Sequence, residues 1–209
     1  MLDNNARYKH IREYVQDRDV LDIGVVQHDL ENVDSENWLH GQVVEDAANA
    51  VGIDILEEEV TALQNRGYDV RCANAESFEL DQSFDLIIAG ELIEHLSNCG
   101  QFLDCCRNHL REDGQVVITT PNGVSILIPI RRLLQYEVHN QEHTCMFDAQ
   151  TLSQLLQRHG FQVERTEYLK TNQVHSIRPK QILHEVLEVL PPDRISNQTL
   201  LMVAKPVNH

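Results

Sequence analysis

The feature that most constrains this chain is an alternation of two hydrophobic periods. Short apolar runs bounded by glycine, proline or acids recur between segments whose apolar residues fall three or four apart. The runs at 20–24, 50–55, 68–72, 84–89, 115–120, 161–168 and 200–205 read as strands, and Leu86-Ile87-Ile88 is the clearest. An unbroken run such as Leu86-Ile87-Ile88 belongs to a strand covered on both faces, whereas 161–168 alternates like a strand. Between them, 5–17 carries Tyr8, Ile11 and Val15 on one helical face, and 38–49 also reads as a helix. Residues 57–66 stop at Gly67, and 101–110 place Phe102, Cys106 and Leu110 on one stripe. Asp148 suits the N-cap of a helix over 151–159 closed by Gly160, and Pro191-Pro192 stops a last helix over 181–190.

Strand alternating with helix calls for an α/β fold: a doubly wound, mostly parallel sheet with helices on both faces. The chain has 209 residues, no internal repeat and no linker, so it reads as a single domain over 1–209. Residues 1–18 form an N-terminal helix in this reading. The irregular stretch 121–147 is long for a connection and reads as a lid or substrate loop.

Charge and cysteines exclude several classes. Formal net charge is −16, which repels phosphate, so nucleic acid is an unfavoured partner and an anionic membrane surface another. Four of the 17 basic residues are lysines, and an acidic, lysine-poor surface suits high salt, so a halophilic source is expected. The five cysteines include no C-x-x-C pair, which points to neither a disulfide framework nor a zinc ribbon. The first residues are polar and the longest apolar stretch, 124–130, contains Pro129, so neither a signal peptide nor a membrane span is expected. A cytoplasmic protein, monomeric or homodimeric, follows as the expectation.

Ligands of open α/β sheets bind beyond the carboxyl ends of the strands, so the residues after each run matter most. Asp54 ends the second run, where a carboxylate can accept bonds from both ribose hydroxyls of a nucleoside cofactor. Its competing role is to cap the helix from Glu57. Asn74 carries an amide able to pair with an adenine edge, and Ala75 leaves room for the ring. Asp22, inside the first strand, needs partners for a buried carboxylate: loop N–H groups or a cofactor ammonium.

The order of segments is familiar. Val20-Leu21-Asp22-Ile23-Gly24, Gly52-Ile53-Asp54, Asn74-Ala75-Glu76, Phe84-Asp85-Leu86-Ile87-Ile88-Ala89-Gly90-Glu91 and Thr119-Thr120-Pro121-Asn122 together resemble a class I S-adenosylmethionine-dependent methyltransferase. The resemblance covers about 20–168. It implies a seven-stranded sheet whose last strand is antiparallel, supplied here by 200–205. It implies S-adenosyl-L-methionine as cofactor and a small-molecule methyl acceptor, with transfer to oxygen expected. Gly24 would let the backbone approach the methionine end, and Asp54 and Ile55 would hold the ribose side. Asn74 and Ala75 would border adenine, with Asp22 and Gly90 nearby. Glu91 would sit beside the sulfonium and the acceptor.

One departure matters. The family's first loop usually reads G-x-G-x-G, whereas here it is Gly24-Val25-Val26-Gln27-His28. Glycines there serve close backbone approach and positive φ. In their place His28 offers a polar contact to the cofactor's amino-acid end. The missing glycines also motivate a competing reading, a non-catalytic binding or scaffold protein on the same fold. A nicotinamide dehydrogenase is a third, opposed by the absence of G-x-G-x-x-G.

Glu91-x-x-Glu94-His95 follows the fourth strand, and His143 comes much later. A helix beginning there would put Glu91 on one face with Glu94 or His95, and His143 on the long loop would close over them. Two carboxylates and two imidazoles make a divalent-metal set. It is similar to that of metal-assisted O-methyltransferases acting on catechol-type quinone precursors or on a terminal RNA ribose. The competing role of His95 is a cap or a packing group. Without metal, Glu91, Glu94 or His95 would take the acceptor's proton, with His143 a lesser candidate. Arg131-Arg132 would face an anionic substrate or simply solvent.

Overall fold

A computed structural model describes residues 4–26, 33, 35, 37–126, 128–129, 142–170 and 193–207. Its elements are α1 (Asn4–Val15), β1 (Asp19–Ile23), α2 (Leu39–Asp46), β2 (Asn49–Asp54), α3 (Glu57–Asn65), β3 (Val70–Cys72), β4 (Phe84–Gly90), a 3-10 turn (Ile93–His95), α4 (Cys99–His109), β5 (Leu110–Pro121), α5 (Ala149–Arg158), β6 (Phe161–Leu169), α6 (Asp193–Ser196) and β7 (Thr199–Pro206). The strands form one sheet in the order β3-β2-β1-β4-β5-β7-β6. Pairs from β3 to β5 are parallel, and β7 runs antiparallel between β5 and β6.

The period of two in β4 explains its unbroken apolar run. Leu86 and Ile88 pack with Tyr8, Ile11 and Val15 of α1 and with Leu39 and Val43 of α2. Ile87 and Ala89 point the other way, to Phe102, Leu103 and Cys106 of α4 and Leu152 and Leu156 of α5. Both sheet faces are therefore dry along 86–89, and each of those four positions is apolar for its own reason. Local signals fix the helix starts. The Asn98 side chain accepts from the Gln101 N–H at 3.0 Å, and Asp148 with Thr151 forms a reciprocal capping box.

Boundaries shift where side chains are needed elsewhere. Tyr68 precedes β3 because its ring stands edge-on to Trp38, with centroids 4.9 Å apart. The fifth strand starts at Leu110 rather than 115, through an irregular register between Phe84 and Leu86. The expected helix over 181–190, residues 127 and 130–141 of the 121–147 loop (Arg131 and Arg132 among them) and His28 lie outside the described residues. Among the described residues no helix is long and apolar enough to cross a membrane.

Strand order reverses between β1 and β4, with β2 on one side and β5 on the other. The crevice beyond the carboxyl ends of these strands is where such a sheet places a ligand.

Candidate active site

The crevice has two halves. The first lies beyond β1, β2 and β3. Gly24 leaves β1 with φ +84°, and a Cβ there would lie 3.3 Å from Leu92 Cδ1. Val25 and Val26 replace the expected glycine-rich stretch without positive φ, since the only non-glycine residues with left-handed backbone among the described residues are Asp17 and Glu91. Both valines are buried, in a small core with Trp38, Val60, Leu63 and Val70. Their side chains pack against Val60 and Leu63 of α3. Trp38 Nε1 fixes this turn by donating to the Val25 carbonyl at 2.7 Å.

Asp54 answers that turn. Its Oδ2 accepts the Val26 N–H at 2.9 Å and its Oδ1 the Leu56 N–H at 3.2 Å. Helix α3 has Leu56 at its N-cap, with no side-chain cap bond, so capping is not the role of Asp54. A carboxylate has about four acceptor sites, which leaves two open after those bonds. Ile55 beside it is 64% exposed, a large apolar side chain left bare at the crevice rim. Asn74 is exposed and Ala75 buried. Asn74 Oδ1 accepts the Glu76 N–H at 2.9 Å, so the amide NH2 remains to donate outward.

Asp22 corrects an expectation. The partner found for its carboxylate is His40 of α2 rather than a loop N–H; His40 Nδ1 lies 3.0 Å from Asp22 Oδ2 with both side chains buried. Gly52 pairs with Asp22 across the sheet. A Cβ on Gly52 would meet His40 Cε1 at 3.0 Å and Val70 Cγ1 at 2.7 Å. The pair thus needs a glycine on the neighbouring strand, a signal visible only once the register is known.

The second half lies beyond β4 and β5. Here the expected continuous helix fails. Glu91 adopts φ +57° and donates its N–H to the Thr119 carbonyl at 2.8 Å, and the 3-10 turn starts only at Ile93. Glu91 and Glu94 therefore share no helix face. Left-handed backbone at a non-glycine residue is uncommon and costs free energy of order 1–3 kcal/mol in such positions.

The turn nevertheless gathers a ligand set. One donor atom from each of Glu94, His95 and His143 lies within 4.8 Å of the others. Glu91 is not in that group, which corrects the four-residue expectation. The His95 and His143 rings meet edge to face with centroids 4.7 Å apart. Glu94 is 1% exposed; its Oε2 accepts from Thr120 Oγ1 at 3.0 Å. Its Oε1 and Oε1 of Glu91 are buried without a hydrogen-bond partner among the described residues. The Glu94 carbonyl accepts the Thr144 N–H at 2.8 Å, which ties the segment carrying His143 to the turn carrying His95.

Arg7 is the site residue that sequence reading missed. It comes from α1, is 5% exposed, and donates from Nη1 to Thr119 Oγ1 at 3.3 Å. Gly90 makes space for it: a Cβ there would lie 3.1 Å from Nη1. Burial lowers the affinity of Arg7 for its proton, and the charges of Glu91, Asp22 and Glu94 raise it. Burial pushes the Glu91 carboxyl up, opposed by Arg7. Burial pushes Glu94 up as well, and the charge of Glu91 adds to that, while the Thr120 hydroxyl and Arg7 pull it down. The signal for Arg7 was weak, since a lone arginine on the opening helix looks like a surface group. Asn122 has a structural role instead: its Nδ2 donates to the carbonyls of Arg194 and Asn197.

Comparison with known proteins places this architecture. A family model described as a methyltransferase domain matches residues 9–166. A probable S-adenosylmethionine-dependent methyltransferase of Mycolicibacterium smegmatis is 28% identical over 162 residues, covering 76% of this chain and 58% of that protein. A ubiquinone biosynthesis O-methyltransferase of Nitrobacter winogradskyi is 30% identical over 81 residues, 36% of this chain and 31% of that one. The aligned part thus spans well under two thirds of either relative's length. Among solved structures, a SAM-dependent methyltransferase from Archaeoglobus fulgidus superposes with TM-score 0.67 at 20% identity, over 96% of this chain and 91% of that one. One from Mesorhizobium loti gives 0.64 at 18%, over 95% and 97%. With the strand order and the antiparallel β7, these matches establish that the chain belongs to the class I S-adenosylmethionine-dependent methyltransferase family.

Proposed function

We propose that this protein transfers a methyl group from S-adenosylmethionine to an oxygen of a small-molecule acceptor, with a divalent cation at Glu94, His95 and His143. The observation that carries the reading is the convergence of those three side chains beside the buried, unpartnered Glu94 Oε1. One carboxylate and two imidazoles suit a divalent first-row ion, and a buried oxygen without a partner is what such an ion would satisfy. The relatives named as ubiquinone O-methyltransferases support oxygen as the accepting atom.

The cofactor supplies an electrophilic methyl on a sulfonium, which leaves as the neutral thioether. The cation, when bound, lowers the pKa of an acceptor hydroxyl. The chain's own residues do the rest. Asp54 holds the ribose hydroxyls with its two open acceptor sites, and Ile55 and Ala75 flank the adenine. Asn74 donates its NH2 to an adenine ring nitrogen. Gly24, with the chain that follows it, admits the methionine end. Arg7 sets a positive charge among Asp22, Glu91 and Glu94, suited to the cofactor's carboxylate. Glu91 holds the proton that the acceptor gives up. His28 belongs to the amino-acid end in this reading. Positioning and water exclusion carry the rate, since methyl transfer is an in-line displacement.

The inward packing of Val25 and Val26 favours a working cofactor loop over a scaffold with a decayed one. Calorimetry with Mn²⁺, Mg²⁺ and Zn²⁺ on wild type and His95→Ala tests the cation. Heat with one ion, lost in the variant, is expected; no heat with any ion overturns it. Radiolabelled methyl transfer to a panel of phenols and catechols tests the acceptor class, and label on nitrogen or carbon only would overturn the oxygen assignment. We place the protein in a salt-rich cytoplasm on its charge of −16, so its melting midpoint should rise steeply in molar KCl.

A further inference from the structure

The two thiols nearest the ligand turn are in contact. Cys99, the first residue of α4, and Cys145, two residues after His143, have sulfurs 3.9 Å apart. Each is partly exposed. Both sulfurs lie over the same backbone: Cys99 Sγ is 3.5 Å and Cys145 Sγ 3.6 Å from the Ile93 carbonyl. The contact is held by bonds outside the cysteines. The Thr144 N–H donates to the Glu94 carbonyl at 2.8 Å, and Thr144 Oγ1 donates to the Leu96 carbonyl at 2.7 Å. The remaining cysteines, Cys72, Cys105 and Cys106, have no sulfur contact of this kind among the described residues.

We propose that Cys99 and Cys145 form an intramolecular disulfide by exchange with a low-molecular-weight disulfide, covalently joining the turn that carries His95 to the segment that carries His143. A disulfide requires sulfurs at about 2.05 Å, so the pair must close by less than the diameter of one sulfur atom, within reach of side-chain rotation. One protein thiolate attacks the small disulfide, its proton leaves with the released small thiol, and a mixed disulfide forms. The second protein thiol then displaces the other small thiol and takes the S–S bond. Two protein thiols and one small disulfide become one protein disulfide and two small thiols.

Burial and the neighbouring thiol push the Cys99 thiol up to about 12, which keeps its thiolate scarce at neutral pH and makes the exchange slow. The product behaves as a latch set over hours, not as a fast sensor. It closes the chain across positions 99 and 145, a long loop whose constraint removes much unfolded-state freedom. The inference stands whether or not a cation binds at the histidines, because it needs only the thiol contact.

The test uses the full-length chain incubated with oxidised glutathione, then alkylated and digested without reductant. The expected product is a Cys99–Cys145 linked peptide two hydrogens lighter than its parts, absent from Cys99→Ser and Cys145→Ser and reversed by dithiothreitol. Oxidised wild type should melt about 5–10 °C above its reduced form, while the serine variants show no such rise. Independent alkylation of both cysteines after prolonged exposure, or linkage of either to Cys72 or Cys105, would overturn it. Stable glutathione adducts on both sulfurs would do the same. The two serine variants keep the outcome readable if one of them folds poorly.

Discussion

The two halves of the crevice solve opposite problems. Beyond β1, β2 and β3, polar groups are satisfied by local backbone: Asp54 takes the Val26 and Leu56 N–H groups, and Asn74 takes that of Glu76. Beyond β4 and β5, charge is buried and left unsatisfied: Glu91 and Glu94 each keep one bare oxygen, and Glu91 holds left-handed backbone. In the proposed reading the first half receives the cofactor with parts that also stabilise the fold. The second buries two carboxyls whose affinity for protons burial raises, the setting in which chemistry is expected.

The sharpest way to break that contrast is Glu94→Gln. The amide keeps the shape and a bond with Thr120 but removes the proposed cation ligand and a buried carboxyl that the charge of Glu91 opposes when ionised. Turnover should fall by roughly 10³-fold or more, the scale of losing a catalytic group. Stability at pH 7 should hold or rise. The sign follows from the raised carboxyl: the folded state binds the proton more tightly, so its contribution is fullest below the unfolded pKa and is lost as pH rises through the raised value. A variant that both keeps its turnover and melts several degrees lower would show that Glu94 is structural.

Asp54→Ala should act in the opposite manner. It removes the acceptor of two backbone N–H groups as well as the ribose site, so binding and stability fall together. S-adenosylhomocysteine affinity should drop about 100-fold, the cost of two hydrogen bonds to a charged group, read by calorimetry. Unchanged affinity would dissolve the receptor half of the comparison.

Val26→Gly restores the glycine that relatives of this fold usually carry. Because Val26 is fully buried against Val60 and Leu63, the change opens a cavity and frees the unfolded chain. A loss of about 2–4 kcal/mol is expected, with no gain in cofactor affinity. Tighter binding would mean that the valine side chain does obstruct the crevice.

How much of this was legible depends on the range of the forces involved. The strand and helix order was, because both faces of β4 are dry and the apolar run has no competing reading. Gly24, directly after β1, and Asp54, the last residue of β2, could be placed at the crevice from sequence because they stand at strand ends. The Asp22–His40 pair was not: it depends on Gly52 lying opposite Asp22, a fact of register rather than of local sequence. Glu91, Glu94 and His95 were found, but their spacing suggested a helix that the tight turn to Thr119 forbids. Arg7 stayed hidden because Thr119, Glu91 and Glu94 are more than 80 residues away in sequence and because burying an arginine defies composition rules.

The smallest expected effect links the halves through α1. That helix brings Arg7 to the crevice and is itself held from outside: Tyr8 Oη donates to Asp46 Oδ2 at 2.6 Å and Arg12 Nε to the same oxygen at 2.8 Å. These donors hold the Asp46 carboxyl below its ordinary value, the Arg12 hydrogen bond foremost. A depressed carboxyl stabilises the fold above its unfolded pKa, and that contribution disappears as pH falls through the folded value. Arg12 is exposed, so solvent screens the pair, and Asp46→Asn should cost no more than about 1 kcal/mol at pH 7. The difference from wild type should shrink as pH falls through the depressed folded value, since both proteins then carry a neutral side chain there. If α1 acts only as a cover for β4, cofactor affinity will not change in Asp46→Asn. If α1 positions Arg7, affinity should weaken about two- to threefold at pH 7, a free-energy change of about 0.5 kcal/mol, and converge with wild type in acid. A stability loss with unchanged affinity would separate the helix from the site and confine Arg7 to the packing of β5.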